Sequence, residues 1–144
     1  MRVCIAPAPV IRDLVRIEPY VQVDGVPFSA TGDDIRGRRG KPWRSGRNDV
    51  GLDELDYGDA VYRFQDCGRL EEVTLQARVL AFGNVAVPFD VLAAFVREGD
   101  PAAFERAGFL VSPAFGIAFD PAQPFWVTAL AQHCLPQWEA LRFG

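Results

Sequence analysis

The sequence predicts an α+β fold: a mostly antiparallel sheet of five to seven strands, with two to four short helices packed on one side. Three observations carry this expectation. Residues 72–77 alternate apolar and polar with period two, and Ala60, Tyr62 and Phe64 share one face of a strand with Asp59, Val61 and Arg63 on the other. A tight-turn signal, "DCGR", lies between them, with Gly68 free to take a positive φ. Residues 88–100, "PFDVLAAFVREGD", repeat their apolar positions at helical spacing.

The elements follow in order. "VIRDLVRIEPYVQVDG" opens as a short helix or a strand, then alternates through Tyr20, Val21 and Val23 to an Asp24–Gly25 turn. Ser29 or Thr31 can cap a short helix whose first turn holds Asp33 and Asp34, and Gly37, Gly40 and Pro42 end it. "KPWRSGRNDVG" reads as a loop, basic first and acidic after. In the next hairpin Tyr62, Phe64, Val73 and Leu75 face the core. A two-residue Cys67–Gly68 loop sets Asp66 opposite Arg69, and Arg63 opposite Glu72 on the outer face.

"RVLAFGNVAVPF" is a further strand, or two around Gly83–Asn84. In the helix that follows, Asp90 is the cap, Val91, Leu92, Phe95 and Val96 form the apolar stripe, and Gly99 ends it. "DPAAFERAG" reads as a second short helix with Asp100 as cap and Pro101 at its first position. "FLVSPAFGIAFDP" contains two short strands around Ser112–Pro113, "PFWVTALA" another, and "HCLPQWEALRF" a terminal helix with Pro136 in its first turn.

Length places residues 1–144 in one domain, large enough to bury a core without disulfide or metal staples. A formal net charge of −4 argues against nucleic acid as a partner, because phosphate binding needs a basic footprint. Of fifteen basic residues only Lys41 is a lysine, the mark of a GC-rich, bacterial codon bias. Cys4, Cys67 and Cys134 are odd in number and widely spaced, so free thiols in a cytoplasmic protein are expected, with no structural metal. The N-terminal stretch does not read as a signal peptide, and no apolar run reaches the ~18 residues of a membrane span, so no membrane insertion is expected.

The densest stretch, "LDELDYGDAVYRFQDCGRLEEVTL", holds Asp53, Glu54, Asp56 and Asp59 around Tyr57. It lacks the spacing and the late bidentate acid of a calcium loop. His133 is the only histidine, beside Cys134, and neighbours in sequence make a poor nucleophile–base pair. Ser29, Ser45 and Ser112 lie in no nucleophile elbow, and the glycines of "IRGRRGKP" precede no GK[ST]. No cofactor is implied. Arg36, Arg38, Arg39, Lys41, Arg44 and Arg47 make one basic patch, which can bind an acidic partner or pair with the acids downstream. Trp43 and Trp126 stand apart from the core aromatics, and a Trp beside Arg residues has the composition of an interface hot spot.

The order "IRGRRGKP", "LDYGDAVYRF", "GRLEEVTL", residues 30–77, resembles small bacterial immunity proteins of interbacterial toxin systems and beta-lactamase-inhibitor-like α+β domains. That resemblance implies a protein that acts by binding. The expectation is therefore a cytoplasmic protein-binding module, an immunity or adaptor protein that blocks a partner such as a toxin or secreted effector. Its contact residues are Asp53, Glu54, Asp56, Tyr57 and Asp59, with Arg38, Arg39, Trp43 and Arg44. The alternative is a small hydrolase using Asp/Glu residues of the 52–75 hairpin with His133. A third reading is an oligomerising subunit with a large apolar patch.

Overall fold

The structure is a computed structural model that describes residues 11–47, 51–65 and 67–140. In chain order its elements are β1 (Ile11–Glu18), β2 (Gln22–Val23), β3 (Val26–Pro27), α1 (Gly32–Arg39), β4 (Arg44–Arg47), β5 (Asp53–Asp56), β6 (Ala60–Phe64), β7 (Leu70–Phe82) and β8 (Val85–Pro88). There follow α2 (Phe89–Gly99), β9 (Phe104–Arg106), β10 (Phe109–Ser112), β11 (Ile117–Phe119), β12 (Trp126–Leu130), a 3-10 turn (Gln132–Cys134) and α3 (Leu135–Ala140). The fold is α+β with a mostly antiparallel sheet, as expected.

Strand β7 organises the molecule. Thr74 pairs with Val61 of β6 on one edge and with Thr128 of β12 on the other. Gln76 likewise pairs with both Ile11 of β1 and Trp126 of β12. Thus β6 and β1 lie in tandem along one edge of β7, with β12 and β8 along the other. The β1–β7 pairing is parallel, so the sheet is mixed. One path runs β3-β2-β1-β7-β12-β11-β10-β9, and β4, β5 and β6 branch from β7.

The sheet has 12 strands, more than the five to seven expected. The excess comes from short pieces that local sequence does not signal. "KPWRSGRNDVG" is not a plain loop, because Arg44–Arg47 pairs with Asp53–Asp56. Asp53, Glu54 and Asp56 are accordingly part of a strand. Residues 100–108 are not a helix either. The Asp100 carboxylate, almost fully buried, accepts hydrogen bonds from the Ala102 amide (2.9 Å), the Ser112 hydroxyl (2.7 Å) and the Ala114 amide (3.0 Å). Ala107 and Gly108, with φ of 49° and 88°, then turn β9 back onto β10. Paired positive φ values are what a two-residue hairpin needs.

Alternation along the strands splits the buried residues between two faces. Leu110, Ile117, Phe119, Val127 and Ala129 join the main core with Val73, Leu75, Ala77 and Leu80. Their neighbours Val111, Ala118 and Leu130 face the other way and pack with Cys134, Leu135 and Trp138. Helices α1 and α2 cover the main core through Ile35 and through Phe89, Leu92 and Val96. The C-terminal turn covers the opposite face, so the expected one-sided helical layer is corrected. In α2 the cap position is Pro88 rather than Asp90, and Val91 is exposed, outside the apolar stripe. In α1 Thr31 makes the full capping box with Asp34.

The hairpin keeps its expected faces: Tyr62, Phe64, Val73 and Leu75 are buried. Arg63 stands opposite Glu72. Its turn differs. The Gln65 amide donates to the Arg69 carbonyl at 2.9 Å, so Arg69 is opposite Gln65 and the expected two-residue loop is not formed. Phe64 then faces Leu70, and a β-bulge between Arg63 and Phe64 restores the register. A bulge opposes two residues to one; here the extra residue is Glu71, fully buried. The expected Asp66–Arg69 pair and the Cys4 thiol fall outside the described residues.

Candidate functional site

The acidic and basic stretches singled out in the sequence meet each other. Arg44 and Arg47 lie opposite Asp56 and Asp53 in the β4–β5 ladder and form ion pairs with them at 3.4 and 3.7 Å. Glu54 on β5 receives Arg63 from β6 at 2.7 Å. Asp59 accepts Arg39 through both oxygens, each at 2.7 Å, and Arg12 at 3.1 Å. The Tyr57 ring lies under the Arg39 guanidinium, 4.6 Å from its centroid, and its hydroxyl donates to the Gly40 carbonyl. Arg38 donates to the Gly25 carbonyl. The ribbon is thus locally neutral. What it exposes is Trp43 with Arg44 stacked on its ring at 5.3 Å, beside a strand whose four residues are all exposed.

A second cluster lies where the start of β7 meets the C-terminal turn. The Glu71 carboxylate is fully buried, and neither oxygen makes a hydrogen bond. Its Oε1 is 3.3 Å from His133 Nε2, which is also buried and unbonded. Burial lowers the His133 imidazole from its ordinary value, Glu71 opposes that shift, and Arg69 reinforces it. His133 lines a cleft of about 380 Å³ together with Ser29, Cys67 and Arg69. Cys134, one residue on, is buried; burial first, then Glu72 and Glu71, pushes its thiol well up.

A third arrangement crosses the outer face of the sheet. Glu54 (β5), Arg63 (β6), Thr74 (β7) and Thr128 (β12) form one hydrogen-bonded row. Arg63 donates to Glu54 at 2.7 Å, Thr74 Oγ1 at 2.6 Å and Glu72 at 3.4 Å, and the two threonine hydroxyls lie 2.8 Å apart. Cross-strand register puts these side chains side by side. Arg63, Thr74 and Thr128 of this row line a cleft of about 340 Å³ together with Glu72, Phe109, Asp120, Trp126 and Trp138. Burial raises the Glu72 carboxyl above its ordinary value, an effect Arg63 partly offsets.

Sequence reasoning reached the ribbon residues without deciding their mutual pairing, and it missed the roles of Glu71 and Arg12 and the aromatic cleft. The pairing of the two stretches was open as an alternative; the bulge that turns Glu71 inward carries no sequence signal. Among the described residues no group of three or more His, Cys, Asp or Glu side chains is placed to hold a metal ion. No described helix is long and apolar enough to cross a membrane. No family model matches the chain, and neither a curated protein nor a solved structure matches it.

Proposed function

We propose that this chain is a protein-binding module of the immunity or adaptor kind, which acts by covering a partner protein such as a toxin or secreted effector in the bacterial cytoplasm. The observation that carries this reading is the exposed Trp43–Arg44 stack beside the exposed strand β4. Trp and Arg are the residues most enriched at interface hot spots, and an edge strand offers backbone groups to a partner. The backbone pairing of β4 with β5, and of β5 with β6, holds that surface in one shape, which lowers the ordering cost of binding. With Asp53, Glu54, Asp56 and Asp59 already paired, they shape the ribbon more than they steer a partner.

The test compares capture by the wild-type chain and by Trp43→Ala/Arg44→Ala from the native host, followed by titration with the purified partner. A partner held stoichiometrically and weakened at least tenfold by the double variant supports the reading. Equal binding by both chains removes the ribbon from it, and no stoichiometric partner ends it.

A second reading, a small hydrolase, is favoured by one contact: the hairpin acid Glu71 does reach His133. An acid behind an imidazole is the orienting half of many catalytic constellations. Ester-hydrolysis activity that survives purification and disappears in His133→Gln would establish it.

A further inference from the structure

The aromatic-walled cleft on the outer face belongs to none of the surfaces expected from sequence. Its aromatic lining is large and partly accessible, at Trp126 and Trp138 alike, and Phe109 meets Trp138 edge-on with ring centroids 5.8 Å apart. Its volume, about 340 Å³, is that of a small-ligand or side-chain pocket rather than a packing defect.

Its charge favours a cation. Two carboxylates, Glu72 and Asp120, line it against one guanidinium, Arg63, which pairs with Glu72 and also with Glu54, so the excess negative charge of the lining is that of Asp120. Asp120 spends one oxygen on the Ala122 amide at 2.9 Å. No ion pair joins Asp120 to a cation among the described residues. Aromatic faces add their own negative quadrupole. A planar guanidinium stacks on such rings and bonds carboxylates in a fork, whereas an ammonium is compact and strongly hydrated.

We infer that this cleft is a receptor for an arginine side chain of the partner protein, with the guanidinium laid against Trp126 and Trp138 and its donors turned to Asp120 and Glu72. The inference rests on the binding-module reading for the source of that arginine. It deepens that reading by giving the acidic chain a defined acceptor for a basic partner, separate from the Trp43 ribbon.

The probe is acetyl-arginine amide, titrated at low ionic strength into the full chain while the indole N–H signals of the three tryptophans are followed by NMR. Trp126 and Trp138 should shift and saturate in the millimolar range expected for a single side chain, and Trp43 should not respond. Acetyl-citrulline amide, the neutral isostere, should give no saturable shift. Asp120→Asn, which can keep the turn to Ala122, should weaken binding at least fivefold, and Glu72→Gln should do the same if Asp120→Asn fails to fold. Equal binding of citrulline, no saturable response at Trp126 and Trp138, or full affinity in both variants overturns the inference. The titration needs no partner, so its failure is independent of the capture experiment, and a failed capture leaves the titration standing.

Discussion

His133 Nε2 stands 3.3 Å from Glu71 Oε1, both atoms shut away from solvent and neither hydrogen-bonded. A buried carboxylate without hydrogen bonds is costly, and the imidazole beside it is its nearest electrostatic partner. The pair therefore reports on itself through titration. His133 is the only histidine, so its NMR signal is unambiguous. Its inflection should lie below the ordinary 6.5. Glu71→Gln should move it further down, because the carboxylate is the influence that raises it, and Arg69→Gln should move it up. Since the fold binds this proton less tightly than the unfolded chain, the His133 contribution to stability is fully present above about pH 6.5. It is lost as pH falls toward the folded inflection. An inflection that stays put in Glu71→Gln would sink the coupling.

Asp59 and Asp53 separate structural from peripheral acids. Asp59 is about four-fifths buried and joins Arg39 and Arg12, whereas Asp53 is half exposed in a single 3.7 Å pair. Asp59→Asn takes the carboxylate from Arg39 and leaves Arg12 with Asp24 alone, and should cost about 1–3 kcal/mol. For a chain of this size that corresponds to a melting shift of roughly 2–4 °C per kcal/mol. Asp53→Asn should stay within about 0.5 kcal/mol. Urea denaturation of the two variants decides it; equal costs would refute the ranking.

Asp100 replaces a helix with a turn, and its removal should be felt across both hairpins of that region. Asp100→Ala strands the Ser112 hydroxyl and the Ala114 amide, so a loss of at least about 2 kcal/mol is expected. Asp100→Asn, which keeps an acceptor, should recover part of it. Thermal unfolding of the pair checks both statements.

The described cysteines should differ sharply in reactivity. Cys67 is exposed, while Cys134 is buried with its thiol pushed up by burial and by Glu72 and Glu71. Maleimide should label Cys67 in the native protein within minutes and reach Cys134 only on unfolding, read by peptide mass. Comparable native labelling of both would contradict the packing of the C-terminal turn.

What the sequence determined by itself was local. Alternation fixed which residues of 60–64 and 73–77 face the core, because the side-chain period of a strand is two whatever its partners are. Helical spacing located Leu92 and Val96, and Ser29 or Thr31 with Asp33 and Asp34 bracketed the start of α1, where the structure selects Thr31 through its capping box with Asp34. The turns at Asp24–Gly25 and Gly83–Asn84 lie where their residues put them.

The tertiary structure decided everything that depends on a distant partner. Arg44–Arg47 is a strand only because Asp53–Asp56 lies beside it, and residues 100–108 abandon a plausible helix because Asp100 finds Ser112 and Ala114. One bulge residue turned Glu71 inward to His133, 62 positions away in the chain, and no periodicity encodes a break in period. The aromatic cleft assembles Arg63, Glu72, Trp126 and Trp138 from three strands and the C-terminal helix. Long-range pairing chooses among local preferences that differ by about 1 kcal/mol per residue or less, so burial and hydrogen bonding across the sheet outvote them.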